Sequence, residues 1–259
     1  MNSSTAQALT KVPEITLLFW IIKIAATTLG ETGGDAVSMS MDLGYLVGTG
    51  IFAVIFLLAV WVQIKAKQFH PFLYWITVIA TTTVGTTLAD FADRSLGIGY
   101  AGGSALLFVL LMASLFVWHR TLGSVSVASV SSPKAEIFYW VTIMFSQTLG
   151  TALGDWTADT AGLGYVGGAL VFSALLLIVV AAYFWTRISH VVLFWAAFIL
   201  TRPLGAVVGD FLDKPVESGG LALSRYSASL ALLAFIVTCI LMFEHRAAKQ
   251  EHPLPHVKI

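Results

Sequence analysis

One pattern, Trp-x9-Gly-x4-Asp, recurs four times along the 259 residues: at Trp20, Gly30 and Asp35, at Trp75, Gly85 and Asp90, at Trp140, Gly150 and Asp155, and at Trp195, Gly205 and Asp210. An aromatic residue precedes each Trp, namely Phe19, Tyr74, Tyr139 and Phe194. Two positions before the Gly stand Thr28, Thr83, Thr148 and, in the fourth copy, Pro203. A chain assembled from copies of one unit folds as copies of one structure, each buried against its neighbours. The Trp spacings are 55, 65 and 55 residues, so the quarters pair into halves offset by 120. The extra length falls in residues 121–133, a Ser/Val-rich stretch that reads as a linker. We divide the chain into a first half over residues 1–120, a linker over 121–135, a second half over 136–245 and a tail over 246–259.

Each unit also carries two apolar runs. Residues 45–64, 100–118, 165–185 and 226–243 contain no charge and are 18 to 21 residues long. At 1.5 Å rise per residue such a run crosses a hydrocarbon layer of about 30 Å. Between them lie four more runs, near 15–34, 72–89, 137–153 and 191–208, apolar but carrying Thr, Gly and a few charges. The expected fold is therefore an all-α integral membrane protein of eight transmembrane helices, built from four two-helix repeats in two tandem four-helix halves. Composition agrees: 58% of residues are hydrophobic, 11% are charged and the mean hydropathy is +0.86. That excludes an ordinary water-soluble enzyme. Fourteen basic and fourteen acidic residues cancel, so no basic field is available for nucleic acid. The single cysteine, Cys239, excludes an intramolecular disulfide framework.

Glu14 and Lys23 flank or interrupt the first run, which argues against a cleaved signal peptide. Lys and Arg concentrate in the loops on the side of both termini, so the positive-inside rule places both termini in the cytoplasm. Ten of the fourteen acids lie at the opposite ends of the odd-numbered helices. Trp61, Trp118 and Trp185 fall near the inner ends of even helices and read as interfacial belt residues.

Two spans per unit return every copy to the membrane in the same sense. The repeats are parallel, related by an axis along the membrane normal, and equivalent residues share one depth. Asp35, Asp90, Asp155 and Asp210 are thus expected to ring a common axis near the outer leaflet. The even helices open with Gly44/Gly48, Gly99/Gly103 and Gly164/Gly168, small pairs that permit close packing. The fourth copy reaches Arg225-Tyr226 after a longer loop and has Arg225 and Ser229 at those positions, which marks a looser or specialised corner.

Thr27, Glu31 and Asp35 follow at i, i+4 and i+8 and share roughly one helix face, with Thr28 beside them. Hard oxygen ligands of this kind suit Mn²⁺, Ca²⁺ or Mg²⁺, or a proton relay. The candidate metal ligands are Glu31, Asp35, Asp90, Asp155 and Asp210; Thr28, Thr83, Thr148 and Arg202 complete the candidate transport site. A helix-terminal Asp also serves to bind backbone amides or to mark the water interface, and that reading stands beside the functional one. Asp42, Asp93, Asp159 and Asp213 read as loop residues.

Arg202 lies mid-span beside Pro203, aligned with Thr27, Thr82 and Gln147, and an unpaired guanidinium there is costly. Glu31 is its expected partner, because its counterparts in the other copies are Thr86, Thr151 and Ala206. Lys23 has two readings, snorkelling to the interface or a buried partnership. His245, His252 and His256 read as solvated tail residues or as a transient metal site.

The repeated Trp-x9-Gly-x4-Asp unit with its Gly-Tyr-x2-Gly partner helix resembles a bacterial family of uncharacterised repeat-containing, membrane-anchored proteins, over about residues 12–245. That resemblance implies an integral inner-membrane protein and no particular activity. Glu31-Thr32-Gly33-Gly34-Asp35 is also faintly similar to the Glu-x-Gly-Asp-(Lys/Arg)-(Thr/Ser) signature of Mn²⁺/Ca²⁺–proton exchangers, from which it departs by an extra Gly and a missing basic residue.

The expected function is secondary transport, the export of a Mn²⁺-like cation in exchange for protons. The alternatives are a non-transporting scaffold or sensor, and a transporter of a small organic solute. Carboxylates lining a water-filled cavity favour transport; Asp residues capping loops favour a scaffold. No Gly-rich phosphate cradle, Ser/His/Asp set or HExxH element appears, so no enzymatic activity is expected, and no cofactor beyond a transported cation or proton. The expected partners are the lipid bilayer and a small ion or solute, with no nucleic acid, in a monomer or homodimer.

Overall fold

A computed structural model describes residues 9–249, and His252 and His256 lie outside the described residues. It contains eight α-helices: α1 (Leu17–Asp35), α2 (Gly44–Lys65), α3 (Pro71–Asp90), α4 (Tyr100–Leu122), α5 (Pro133–Asp155), α6 (Gly164–Trp185), α7 (His190–Asp213) and α8 (Arg225–Met242). Six of them are long and apolar enough to cross a membrane. The other two, α1 and α5, are the more polar members of the inner set described below. The chain is a multi-pass, all-α membrane protein in architecture.

Helices form where the sequence supplies starts and stops. Thr16 accepts a hydrogen bond from the Phe19 amide and Ser132 from the Ala135 amide, capping α1 and α5. Pro71 and Pro133 open α3 and α5 at the first helical position, where a missing N–H leaves nothing unpaired. Three inner helices pass directly into a π-turn after the repeated Asp, over Ala36–Ser40, Phe91–Ser95 and Trp156–Thr160. The turn that follows reverses at Gly44, Gly99 and Gly164, all at positive φ (74°, 79° and 64°). These glycines meet nothing within 4 Å, so the first member of each small pair makes a turn and does not pack. Only the second packs: Gly48 against Thr87 and Ser38, Gly103 against Asp93, Gly168 against Val207.

The odd helices form an inner ring, α1 on α3, α3 on α5, α5 on α7 and α7 on α1. Each even helix lies outside, against the inner helix of the following repeat: α2 on α3, α4 on α5, α6 on α7, and α8 back on α1. The division shows in burial, with 11% of the α2 span buried against 72% of the α3 span. The ring closes because the last repeat hands its outer helix to the first.

All four inner helices run in one direction, and their contacts repeat around the ring. At the terminal side Phe19 packs on Trp75 (centroids 5.5 Å), Tyr74 on Trp140 (5.8 Å), Tyr139 edge-on against Trp195 (6.3 Å) and Phe194 on Trp20 (5.8 Å). One layer up, the repeated Gly receives a neighbour's side chain: a Cβ at Gly30 would collide with Thr82, at Gly85 with Gln147, at Gly150 with Arg202 and at Gly205 with Thr27. One turn further, Gly34 faces Thr86, Gly154 faces Ala206 and Gly209 faces Glu31. The inner helices thus carry the small-x3-small pattern of close helix packing, in Gly30/Gly34, Gly85/Ala89, Gly150/Gly154 and Gly205/Gly209.

The terminal side is tied by a two-stranded antiparallel sheet, β1 (Leu9–Pro13) with β2 (Ala247–Lys249). Lys11 is buried there, its Nζ 2.7 Å from Glu136 Oε1 and within hydrogen-bonding distance of the Gln63 and Ile64 carbonyls. Trp61 and Trp185 are exposed, as belt residues require, but Trp118 is fully buried against Phe138, Tyr139 and Trp195. It belongs to the core, because the linker and α5 cover the face of α4 on which it lies.

Candidate functional site

Along α1 the residues Phe19, Lys23, Thr27, Glu31 and Asp35 recur every fourth position, all nearly or fully buried. With their counterparts on the other inner helices they stack into five layers down the ring. From the terminal side these are an aromatic layer, a layer of Lys23, Val78, Ile143 and Phe198, a layer of Thr27, Thr82, Gln147 and Arg202, a layer of Glu31, Thr86, Thr151 and Ala206, and the four Asp residues. The axis is filled with side chains: Tyr74 and Tyr139 join hydroxyls at 2.7 Å near one end, and Arg202 spans it in the middle.

Arg202 is completely buried. Its Nη2 lies 2.9 Å from Glu31 Oε2 and 2.6 Å from Thr86 Oγ1, and it also contacts Thr151 Oγ1. One nitrogen on α7 therefore reaches α1, α3 and α5 together. Glu31 is the partner expected from the sequence, the one acid at that level.

The repeated Asp residues converge at the far end, 1% to 3% exposed. Ligand oxygens of Glu31, Asp35 and Asp90 lie within 4.8 Å of one another, as do those of Glu31, Asp155 and Asp210, and those of Asp35, Asp210 and Asp213. Cations bridge neighbouring repeats. Arg94 Nε lies 2.9 Å from Asp90 Oδ1, with Nη2 3.6 Å from Asp155 Oδ2. Lys214 pairs with Asp35 and, at 3.1 Å, with Asp210. Arg225 Nε lies 2.9 Å from Asp213 Oδ2 and 3.8 Å from Asp35 Oδ2.

The long fourth loop makes this possible. It folds back on α7 through Leu221 N–H to the Phe211 carbonyl and Ala222 N–H to the Lys214 carbonyl, seating Lys214 and Arg225 over the ring. Lys214 lies just beyond α7. Burial disfavours its ammonium, but Asp210, Asp35 and Asp213 outweigh that effect and hold its pKa above the usual lysine range.

The structure brings together Glu31, Asp35, Asp90, Asp155, Asp210 and Arg202. It does not bring Thr28, Thr83 and Thr148 to them: these hydroxyls donate to the carbonyls of Ile24, Ile79 and Met144 on their own helices. The hydroxyls that do serve the site are Thr86 and Thr151, which align with Glu31. Asp213 is no loop residue but a buried member of the cluster, ion-paired with Arg225. Asp42 and Asp159 are exposed and Asp93 is half-buried. Lys23 does not snorkel, being completely buried. His245 stands alone at the end of α8, within 3.3 Å of the Cys239 carbonyl.

Six carboxylates at this end, Glu31 and Asp35, Asp90, Asp155, Asp210 and Asp213, face four cations, Arg94, Arg202, Lys214 and Arg225. The acidic side chains thus outnumber the basic ones by two. Asp155 Oδ1 is buried without a hydrogen-bond partner. The chemistry available is the uptake of two protons or of a divalent cation, held by oxygen ligands.

No curated protein and no solved structure matches the chain. A family model described as Repeat of Unknown Function (DUF347) matches residues 18–69, 73–124, 138–189 and 193–247, one copy for each inner helix with its outer helix. Four copies covering most of the chain make it a member of the DUF347 repeat family.

Proposed function

We propose that the protein is a secondary transporter that exchanges a Mn²⁺-like divalent cation for protons at the carboxylate cluster. The observation that carries this reading is the charge count: six converging carboxylates against four cations leave two negative charges in a buried site. A buried net charge is expensive unless protons or a counter-ion neutralise it. Two protons and one divalent cation are alternative ways to do so, and alternation between them is exchange.

Two features support the ion as ligand. Four parallel helices direct the negative ends of their dipoles toward the cluster, which favours a cation. Glu31, Asp155 and Asp210 offer three oxygens within 4.8 Å, and the Oδ1 atoms of Asp155 and Asp210 have no hydrogen-bond partner. All oxygen donors are hard, matching Mn²⁺, Ca²⁺ or Mg²⁺.

The conformation described is an occluded one. Arg202 closes the axis toward the terminal side, while Lys214, Arg94 and Arg225 cover the cluster from the far side. Transport on this reading alternates between loosening the Arg202–Glu31 contact and lifting the fourth loop with its two cations. The excess of Lys and Arg on the terminal side supports an orientation with the termini in the cytoplasm and the carboxylate cluster toward the outside. We assign no bond-making chemistry to the chain.

The test is ion flux in proteoliposomes under an imposed pH gradient, with Mn²⁺, Ca²⁺ and Mg²⁺ in turn. Wild type is expected to move at least one of them against the proton gradient. The variant with Asp35, Asp90, Asp155 and Asp210 all changed to Asn is expected to insert and to carry no flux. Equal flux in both proteins would remove the cluster from the path, and no flux of any ion in wild type would replace transport with a scaffold role.

A further inference from the structure

Lys23 is completely buried, yet no carboxylate among the described residues lies within ion-pair distance of it. Its Nζ is 3.5 Å from Thr201 Oγ1 and 4.2 Å from the centre of the Phe198 ring. A hydroxyl at the limit of hydrogen bonding and a ring face do not neutralise a charge at mid-membrane. Glu31 is the nearest acid along α1 toward the far side, two turns away, and Arg202 holds it at 2.9 Å. The middle of the axis therefore holds two basic side chains, Lys23 and Arg202, and one acid, Glu31.

The adjacent layer contains orphans of the complementary kind. Gln147 Nε2 and Oε1, Thr82 Oγ1, and Arg202 Nε and Nη1 are all buried with no hydrogen-bond partner. Buried polar atoms are normally satisfied, and each one left over calls for an explanation. These three residues hold equivalent positions on α3, α5 and α7, so they share one depth, one turn above Lys23. Donors dominate among them: guanidinium N–H groups, an amide NH₂ and a hydroxyl, beside an ammonium. Water would satisfy the amide but leave the charge.

We propose that this layer binds a small monovalent anion of halide size, with Lys23 and Arg202 as charged donors and Gln147 Nε2 and Thr82 Oγ1 as neutral ones. The layer lies about 12 Å from the repeated Asp residues along the helices, at 1.5 Å per residue, and meets the carboxylate cluster only through the Arg202–Glu31 contact. Its occupant offsets the charge of the two basic side chains beside it and joins α1, α3, α5 and α7 at one level. The inference stands whether or not the carboxylate cluster transports a metal.

The probe is chloride, tested on the purified full chain in detergent by thermal unfolding in sodium chloride, sodium bromide and sodium gluconate at equal ionic strength. Chloride and bromide are expected to raise the apparent melting temperature with the logarithm of concentration above Kd, by about 3–6 °C for each tenfold, while gluconate, too large for the layer, is not. Lys23→Met is expected to abolish the halide dependence and to melt above wild type in gluconate. If Lys23→Met does not fold, Gln147→Leu supplies the same reading, with at least a tenfold weaker halide dependence expected. Chloride-35 NMR gives a direct second measurement: line broadening by wild type, reversed by bromide. A wild-type melting temperature equal in chloride and gluconate would overturn the proposal, as would a halide shift that persists in either variant or an unbroadened chloride line.

Discussion

Arg202 joins four helices through one guanidinium, and its removal exposes what the contact is worth. Arg202→Met leaves Glu31 as an uncompensated buried charge, which costs about 3–5 kcal/mol. Changing Glu31→Gln in the same chain is expected to recover most of that loss, in thermal or denaturant unfolding in detergent. Equal stability of the single and double variants would mean that the pair is not coupled. At the far end, Lys214 gives a pH signature. Its pKa is raised in the folded protein, so its stabilising effect is complete below the ordinary lysine value of about 10.4 and declines only as pH rises beyond it. The melting-temperature gap between wild type and Lys214→Met is therefore expected to stay constant from pH 7 to 10. A gap that closes within that window would contradict the Lys214 pairing with Asp35 and Asp210.

Residue by residue, the sequence discloses what the repeat makes unusual. Glu31 and Arg202 stand out because each replaces Thr, Gln or Ala at its aligned position, and an unmatched charge in a membrane needs a partner. Lys214, Arg225 and Asp213 are hidden, since they sit in or beside the one loop that breaks the pattern and only its folding back brings them to the ring. Thr28, Thr83 and Thr148 mislead for the opposite reason. They repeat well, yet lie one position off the axis-facing stripe, where a threonine satisfies itself on its own helix.

Glycine works differently in the two classes of helix. At Gly150 a Cβ would collide with Arg202 and Pro203, so Gly150→Val is expected to lose about 1–3 kcal/mol by overpacking. At Gly102, on the exposed face of α4, nothing lies within 4 Å. Gly102→Ala should therefore raise stability, by about 0.5–1 kcal/mol. Comparison of the two melting temperatures checks the assignment of inner and outer helices. Hydropathy sets the inner helices α1, α3 and α5 below the outer ones, because they bury polar side chains on one another, but it does not separate inner α7 from outer α8. It does not reveal which glycines are contact surfaces: those before the even helices are conspicuous but make turns, whereas the packing pairs lie inside the repeat motif itself. Trp118 shows the same limit, since an indole at a helix end is placed in the lipid belt or the core only by what the linker covers.

Across the whole molecule, the exchange of outer helices around the ring makes one unit of two sequence halves, with β1 and β2 tying the terminal side. The closing step is α8 against α1, where Thr32 Oγ1 and Ser229 Oγ stand 2.8 Å apart. With Cys239→Ser as background, Thr32→Cys/Ser229→Cys is expected to form a disulfide in membranes on mild oxidation, read as a mobility shift that reducing agent reverses. Failure of that bond with the chain fully inserted would contradict ring closure. The parallel fourfold arrangement is legible from motif spacing alone. The handing of each even helix to the next repeat is not, because either neighbour offers its apolar surface the same kind of partner.

On the proposed reading, protons and a divalent cation neutralise two negative charges of the carboxylate cluster in turn. Proton release on Mn²⁺ binding tests it most directly, measured with a pH indicator in weakly buffered detergent solution alongside the bound metal. About two protons are expected to leave per ion bound by wild type, from the count of six carboxylates against four cations, and no binding is expected in the variant with all four repeat Asp residues changed to Asn. Binding without proton release, or binding unchanged in that variant, would contradict it.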